Sequence, residues 1–171
     1  MDHRLIIVGG VPGAGKSTAL ASYIGLPGII VLDPDRVRDQ LRWRPLVHLV
    51  HQTAAWMMIL LGPRVVGRTV ILHETATRRN RREAMLGWAV RRRWRPRILL
   101  IDVERHEALW GQSARGRMVP RDEFDRHWAR WEQLRSDGLD TSDSVHREIV
   151  PQHAIHSTLE RVIHSVEPLG A

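Results

Sequence analysis

Residues 10–17 read Gly-Val-Pro-Gly-Ala-Gly-Lys-Ser and follow closely on four apolar residues, Leu5 to Val8. Glycines at 10, 13 and 15 free the backbone to turn so that consecutive N–H groups converge, an arrangement suited to an anion. A helical run, Ala19 to Ile24, comes next, and a helix starting at Lys16 aims its positive end at the same point. The spacing G-x-x-x-x-G-K-[ST] is met in full, with Thr18 directly after it. In this pattern the backbone of Gly13, Ala14 and Gly15 cradles phosphates and Lys16 reaches the β- and γ-phosphates. The Ser17 hydroxyl then ligates Mg²⁺, and Thr18 extends the cradle. Strand, phosphate-binding loop and helix in succession open an α/β fold.

The alternative, a glycine-rich turn with no ligand, is opposed by the composition. Lys16 is the single lysine of the chain, against 25 arginines. A chain that writes arginine everywhere else keeps the compact ammonium where a planar guanidinium would not fit the cradle. The net charge of +7 favours anionic partners such as nucleotides, nucleic acid or phosphorylated metabolites. The absence of cysteine excludes disulfides, thiol nucleophiles and cysteine-type zinc sites. The apolar run Leu5–Val8 is too short for a signal peptide, and Trp56–Leu61 is too short to span a bilayer. A cytoplasmic protein without membrane association is expected.

Short apolar runs alternate with helical stretches, which predicts a mainly parallel sheet. Strands are expected at Leu5–Val8, Ile29–Leu32, Thr69–His73, Ile98–Val103 and Val145–Val150. Helices are expected near 16–24, 46–61, 78–93, 104–114, 121–135 and 154–166. Ile155, Leu159, Val162, Ile163 and Val166 share one helical face, as do Phe124, Trp128, Trp131 and Leu134. Pro120 followed by Asp122 and Glu123 marks the entry of the latter helix. No linker divides the chain, so residues 1–171 are read as one domain, and 136–144 as a polar loop.

The second strand ends in Asp33-Pro34-Asp35-Arg36-Val37-Arg38, on the edge to which parallel strands deliver ligand-binding loops. There Asp35 can take a proton from an attacking hydroxyl, with Arg38 on the same side of the next helical turn. Equally, Asp35 can cap that helix while Arg38 is solvated, and Asp33 is as good a cap.

Taken together, GVPGAGKST, DPDRVR with its D-x-x-R, VILHET and ARGRMVP resemble the kinase module of polynucleotide 5′-hydroxyl kinases, from about residue 4 to residue 135. The wider group of small P-loop phosphotransferases, zeta-toxin-like kinases included, shares the first of these. The resemblance implies a three-layer, adenylate-kinase-like P-loop NTPase fold with a short arginine-bearing lid at about 112–121. It implies ATP and Mg²⁺ held by Lys16 and Ser17, Asp35 as general base, and Arg38 on an acceptor phosphate. Arg115, from the lid, would neutralise charge on the transferring phosphoryl group. Glu74 stands where the family usually has Asp and would orient an arginine or the acceptor. His73 beside it is expected to be a packed strand-end histidine.

Arg78, Arg79, Arg81 and Arg82 open the helix after the third strand, where cations oppose the helix dipole, and this favours an anionic partner there. Arg91, Arg92, Arg93, Arg95 and Arg97 lie at the far end and are expected to be solvated. The 46–61 helix carries one polar stripe, His48, His51 and Gln52, read either as a polar edge or as acceptor-pocket lining with Trp56 stacking on a base. The seven tryptophans are expected to be mostly core, and His153 with His156 has metal-like spacing but no clear third ligand. The function expected is kinase transfer from ATP to the 5′-OH of a polynucleotide or another phosphate-bearing acceptor. Its rivals are a small-molecule kinase and a nucleotide-binding switch that transfers nothing.

Overall fold

A computed structural model describes residues 4–36, 44–116, 118–139 and 145–164. Five strands, β1 (Arg4–Gly9), β2 (Ile29–Leu32), β3 (Thr69–His73), β4 (Arg95–Asp102) and β5 (His146–Pro151), form one sheet in the order β2-β3-β1-β4-β5. Every neighbouring pair is parallel. Among them run α1 (Lys16–Leu20), α2 (Arg44–Val66), α3 (Arg79–Arg91), α4 (Arg105–Ser113), α5 (Arg121–Asp137) and α6 (Ile155–His164). This is the P-loop NTPase type of α/β fold that the sequence predicts.

Strand β1 is central, and Leu5, Ile6, Ile7 and Val8 are each no more than 1% exposed. Burial on both faces explains why its sequence is an unbroken apolar run. From β1 the chain passes over β3 to reach β2, whereas from β3 it crosses back over β1 to reach β4. The loop after β1 therefore sits where the connections diverge, at the crevice in which such sheets bind ligands.

The expected helical stripes are where periodicity puts them. Phe124, Trp128, Trp131 and Leu134 of α5 are buried, as are Ile155, Leu159 and Val162 of α6, while Val166 lies outside the described residues. Most of the described tryptophans belong to the core, as expected, and Trp43 lies outside the described residues. Trp94, Trp128 and Trp131 are buried, Trp56 is half-buried, and Trp88 and Trp110 are exposed.

Two other expectations are corrected. β4 starts at Arg95, not Ile98, because its ladder with β1 continues to the pair Arg4↔Arg95. Backbone pairing overrides side-chain polarity here, so Arg97 is buried rather than solvated and Arg95 is half-buried, although Arg91 to Arg93 are exposed as expected. α2 extends past Leu61 and is broken at Gly62, whose φ of 76° precedes Pro63. A Cβ at Gly62 would lie 3.0 Å from the Arg92 carbonyl oxygen, so the break lets α2 pass close to the end of α3. Residues Leu46–Val66 are long and apolar enough to cross a membrane by length and composition, a longer stretch than sequence reading marked. Gly62 breaks that stretch, and Val47, Ala55 and Ile59 pack into the fold while Leu49, Met57, Leu61 and Val65 are exposed.

The loop of residues 10–15 rests against α4 through bare backbone. A Cβ on Gly13 would stand 1.9 Å from the Ala108 carbonyl oxygen, and one on Gly111 would stand 2.4 Å from that of Gly13. Gly111→Ala is therefore expected to destabilise the fold by about 1–3 kcal/mol through overpacking, despite the better helix propensity of alanine. Gly87→Ala, exposed on α3 with nothing within 4 Å of its Cβ, should instead stabilise by about 0.5–1 kcal/mol. Urea unfolding of the two variants checks both signs.

Candidate active site

The phosphate-binding loop is strapped to its neighbours at several points. The Gly10 N–H donates to the Thr75 carbonyl (3.0 Å) and the Glu74 N–H to that of Val8 (3.0 Å). The Gln112 side-chain amide reaches the Pro12 carbonyl (3.3 Å) and that of Gln152 reaches Ala14 (3.4 Å). Gly15, at φ 89°, caps α1 in the left-handed region, which turns the chain from cradle into helix.

Lys16 is 5% exposed, and its Nζ donates to the carbonyl oxygens of Gly10 and Val11, each at 2.8 Å. Burial lowers its pKa to about 8, even though Asp35 and Glu74 pull it upward, and Arg115 adds to the lowering. The ammonium is thus held inside the loop, charged but poorly solvated, in a state that an anion would stabilise.

Four side chains meet at the end of β2 and β3. The Ser17 hydroxyl donates to Asp35 Oδ2 (2.8 Å) and lies 3.5 Å from Asp33 Oδ1 and 3.4 Å from His73 Nδ1. His73 Nδ1 is 2.6 Å from Asp33 Oδ1, which also accepts the Asp35 N–H at 2.9 Å. So Asp33 is the cap of the turn at Pro34–Arg36, and the Asp35 carboxylate, which accepts from Ser17, lines the crevice. Burial alone would raise the Asp33 pKa. Hydrogen bonds and charge from His73, with the Asp35 N–H and Ser17, outweigh burial and hold it below the usual carboxylate range. His73 is buried as expected, but it packs by polar contact, and Asp33, Asp35 and His73 could jointly hold a cation beside Ser17.

Glu74 orients an arginine. Its Oε2 accepts from Arg81 Nη2 at 2.8 Å, while Oε1 takes the Thr75 N–H at 3.1 Å. Arg82 is buried, donating from Nη1 to the Ala76 carbonyl (3.0 Å) and from Nε to Glu83 (3.2 Å). Ala76 adopts φ 54°, an unusual conformation for a residue with a Cβ, and Arg82 fastens it there. Hence the arginine cluster of α3 is not all available to a partner: two of its members are spoken for inside the fold. Arg78 stays exposed.

Across the crevice, Arg115 follows α4 and donates from Nη2 to Thr18 Oγ1 at 2.6 Å. Gln112 binds the Pro12 carbonyl and also accepts the Val119 N–H at 3.0 Å, tying the two ends of the α4–α5 connection to the loop. Together these groups enclose a cavity of about 430 Å³. Its wall includes Gly13, Gly15, Lys16 and Ser17 from the loop, with Asp35, Glu74, Arg78 and Arg115 around them. Ala14 is buried in the loop, and Arg38 lies outside the described residues.

Of the polar stripe on α2, His48 and Gln52 line this cavity, whereas His51 is buried and its Nε2 is 3.2 Å from the Leu32 carbonyl oxygen. Trp56 does not line it; the side chain faces a shallow groove on the outer surface of α2, so the stacking role has no place there. His156 stacks on Tyr23 with ring centroids 6.3 Å apart, and no metal-like grouping among the described residues includes it or His153. Sequence reasoning missed Gln112, Gln152 and the Asp33–His73 pair. Only the last had a visible signal, two polar residues at the ends of adjacent predicted strands.

Fold and loop define a nucleotide-binding P-loop protein. The family model of the AAA domain matches residues 5–137, and the chain belongs to that family. No curated protein matches it. Among solved structures, it is similar to one from the PezAT chromosomal toxin-antitoxin system of Streptococcus pneumoniae. That likeness has a TM-score of 0.58 at 14% identity, over 89% of this chain and 68% of the other. The tunicamycin resistance protein of Deinococcus radiodurans is similar with a TM-score of 0.54 at 13% identity, over 98% and 99%.

The buried lysine makes stability depend on pH. The folded pKa of about 8 lies below the ordinary 10.5, so between these values the unfolded chain keeps a proton that the folded chain has lost. The free energy of unfolding should therefore rise with pH across that window, with a slope of about 1.4 kcal/mol per pH unit for one proton. Lys16→Met is expected to lack this increment, which unfolding curves at several pH values read directly.

Proposed function

We propose that the protein is an ATP- and Mg²⁺-dependent kinase that transfers the γ-phosphate to a hydroxyl, the acceptor being the 5′-OH end of a polynucleotide. One observation carries this reading: Lys16, Asp35, Arg78 and Arg115 line the same cavity, so phosphate cradle, carboxylate base and cations share one space. A nucleotide switch needs the cradle alone.

In this reading Lys16 exchanges its two carbonyl partners for the β- and γ-phosphate oxygens, and the loop N–H groups take the rest of the charge. Ser17 would hold Mg²⁺, with Asp33 beside it supplying the hard oxygen donor that suits this ion. Bound there, the ion would neutralise charge on the donor phosphates. Asp35 receives the proton of the acceptor hydroxyl as that oxygen bonds to the γ-phosphorus and the bond from phosphorus to the β–γ bridging oxygen breaks, releasing ADP, and Arg115 stabilises the charge on the transferring group. Glu74 holds Arg81 toward the acceptor side, and Arg78, with Arg38, would grip acceptor phosphate. Resemblance to polynucleotide 5′-hydroxyl kinases in D-x-x-R and R-G-R-x-V-P supports the choice of acceptor. The likeness to a tunicamycin resistance protein keeps a small-molecule acceptor as the competing reading.

Transfer from γ-labelled ATP to 5′-OH DNA and RNA oligonucleotides, run beside a nucleoside and antibiotic panel, tests the proposal. Label is expected on the oligonucleotides, with kcat lowered about 10²–10⁴-fold by Asp35→Asn and on the order of 10³-fold by Arg115→Ala. Label confined to small molecules would overturn the polynucleotide acceptor, and undiminished transfer by Asp35→Asn would remove Asp35 as the base.

A further inference from the structure

A second cavity, of about 750 Å³, lies between the start of α3 and the C-terminal half of α5. It shares Arg78, Arg81 and Arg82 with the first cavity, so one arginine wall separates and serves both. Arg79 and Arg130 add to its lining, and Asp137 is the one acidic residue among the lining residues described. Charge of one sign is therefore concentrated on a concave surface large enough for a ligand.

The arginines differ in what already holds them. Arg82 is used by Ala76 and Glu83, and Arg81 binds Glu74 through one nitrogen only; its Nε is buried with no partner. Arg78, at the N-cap of α3, and Arg130, on α5, have side chains with no hydrogen bond or ion pair among the described residues. Nor does α3 relieve the crowding, since its first turn contains no acidic residue and its N-cap makes no side-chain bond. Guanidinium groups brought together at the positive end of a helix repel one another and oppose its dipole. Phosphate oxygens between them would remove both costs, and the planar fork of arginine suits phosphate geometry.

We infer that this second cavity seats phosphates of the acceptor beyond its terminal nucleotide, so that the substrate is an oligonucleotide lying across the arginine wall rather than a single nucleoside. The inference rests on the polynucleotide reading of the first cavity and extends it. The reacting hydroxyl enters beside Asp35, the nearest phosphate meets Arg78, and the next reaches Arg130.

The test uses the full chain and two acceptors, a 5′-OH octanucleotide and a nucleoside 3′-monophosphate, in kinase assays and in anisotropy binding of the labelled octamer over a salt series. The octamer is expected to have a KM at least tenfold below that of the monophosphate. Arg130→Ala should raise the octamer KM at least fivefold without lowering kcat. It should also reduce the slope of log Kd against log salt by about 0.7, one phosphate contact on a single strand. Arg130→Lys should recover part of the loss, and Arg92→Ala, at the other end of α3, should match the wild type. An octamer phosphorylated and bound by Arg130→Ala with unchanged KM and salt slope overturns the second site while leaving the acceptor reading intact. Octamer bound through Arg130 but never phosphorylated does the reverse. An octamer that is neither bound nor phosphorylated overturns both.

Discussion

Backbone touching backbone at Gly13 and Gly111 is the constraint on which the arrangement of the site depends. A phosphate cradle works only if its N–H groups, not its side chains, face the ligand. The same bareness lets the loop press against α4 on its other side, where the Ala108 carbonyl occupies the place a Gly13 Cβ would take. That contact fixes α4, which carries Gln112 and leads into the connection that bears Arg115. Removal of side chains at two positions thus locates a cation on the far side of the cavity. The loop is rigid for the same reason, since Gln112, Gln152 and the β3–α3 turn each bind one of its backbone groups.

Rigidity explains why a lysine can be buried there at all. Desolvation disfavours the charged ammonium, and the two carbonyls at 2.8 Å compensate only in part, since the pKa still falls to about 8. The site is therefore strained electrostatically before any ligand arrives, and a phosphate would relieve that strain. Asp35 and Glu74 raise the Lys16 pKa while Arg115 lowers it, so the two carboxylates that line the cavity also keep the lysine charged near neutral pH.

The sheet was legible in the sequence because burial on both faces writes itself as continuous apolar runs. Ile29–Leu32 and Thr69–His73 were read to the residue, and the α5 stripe came from period alone. Where reading failed, backbone geometry or long-range pairing decided. Arg95 and Arg97 look like a solvated helix end, yet the β1–β4 ladder draws them into a strand. Trp56 lies on a helix apolar nearly all round, where periodicity cannot say which side faces the cavity. In the candidate site the loop, Asp35 and Arg115 were legible as motif positions. The division of labour between Asp33 and Asp35 was not, because either carboxylate can cap a turn that begins at Pro34. The structure separates them through His73, a residue 40 positions away.

That separation bears on how a chain with 25 arginines keeps its cations distinct. Arg81 and Arg82 stand one residue apart on α3, yet each is bound by a different element, Glu74 at the end of β3 and the strained carbonyl of Ala76. Both partners lie in the turn that also binds the phosphate loop, its Thr75 carbonyl accepting the Gly10 N–H. The internal arginines therefore build the wall, and Arg78 lines the cavity beside them. Lysine could not replace Arg82, whose one guanidinium bridges Glu83 and the Ala76 carbonyl where an ammonium is a point charge. Arginine could not replace Lys16, whose compact charge sits between two carbonyls inside a turn of the loop. The single lysine and the many arginines answer to the same geometry, one where the space is a point and the other where it is a plane.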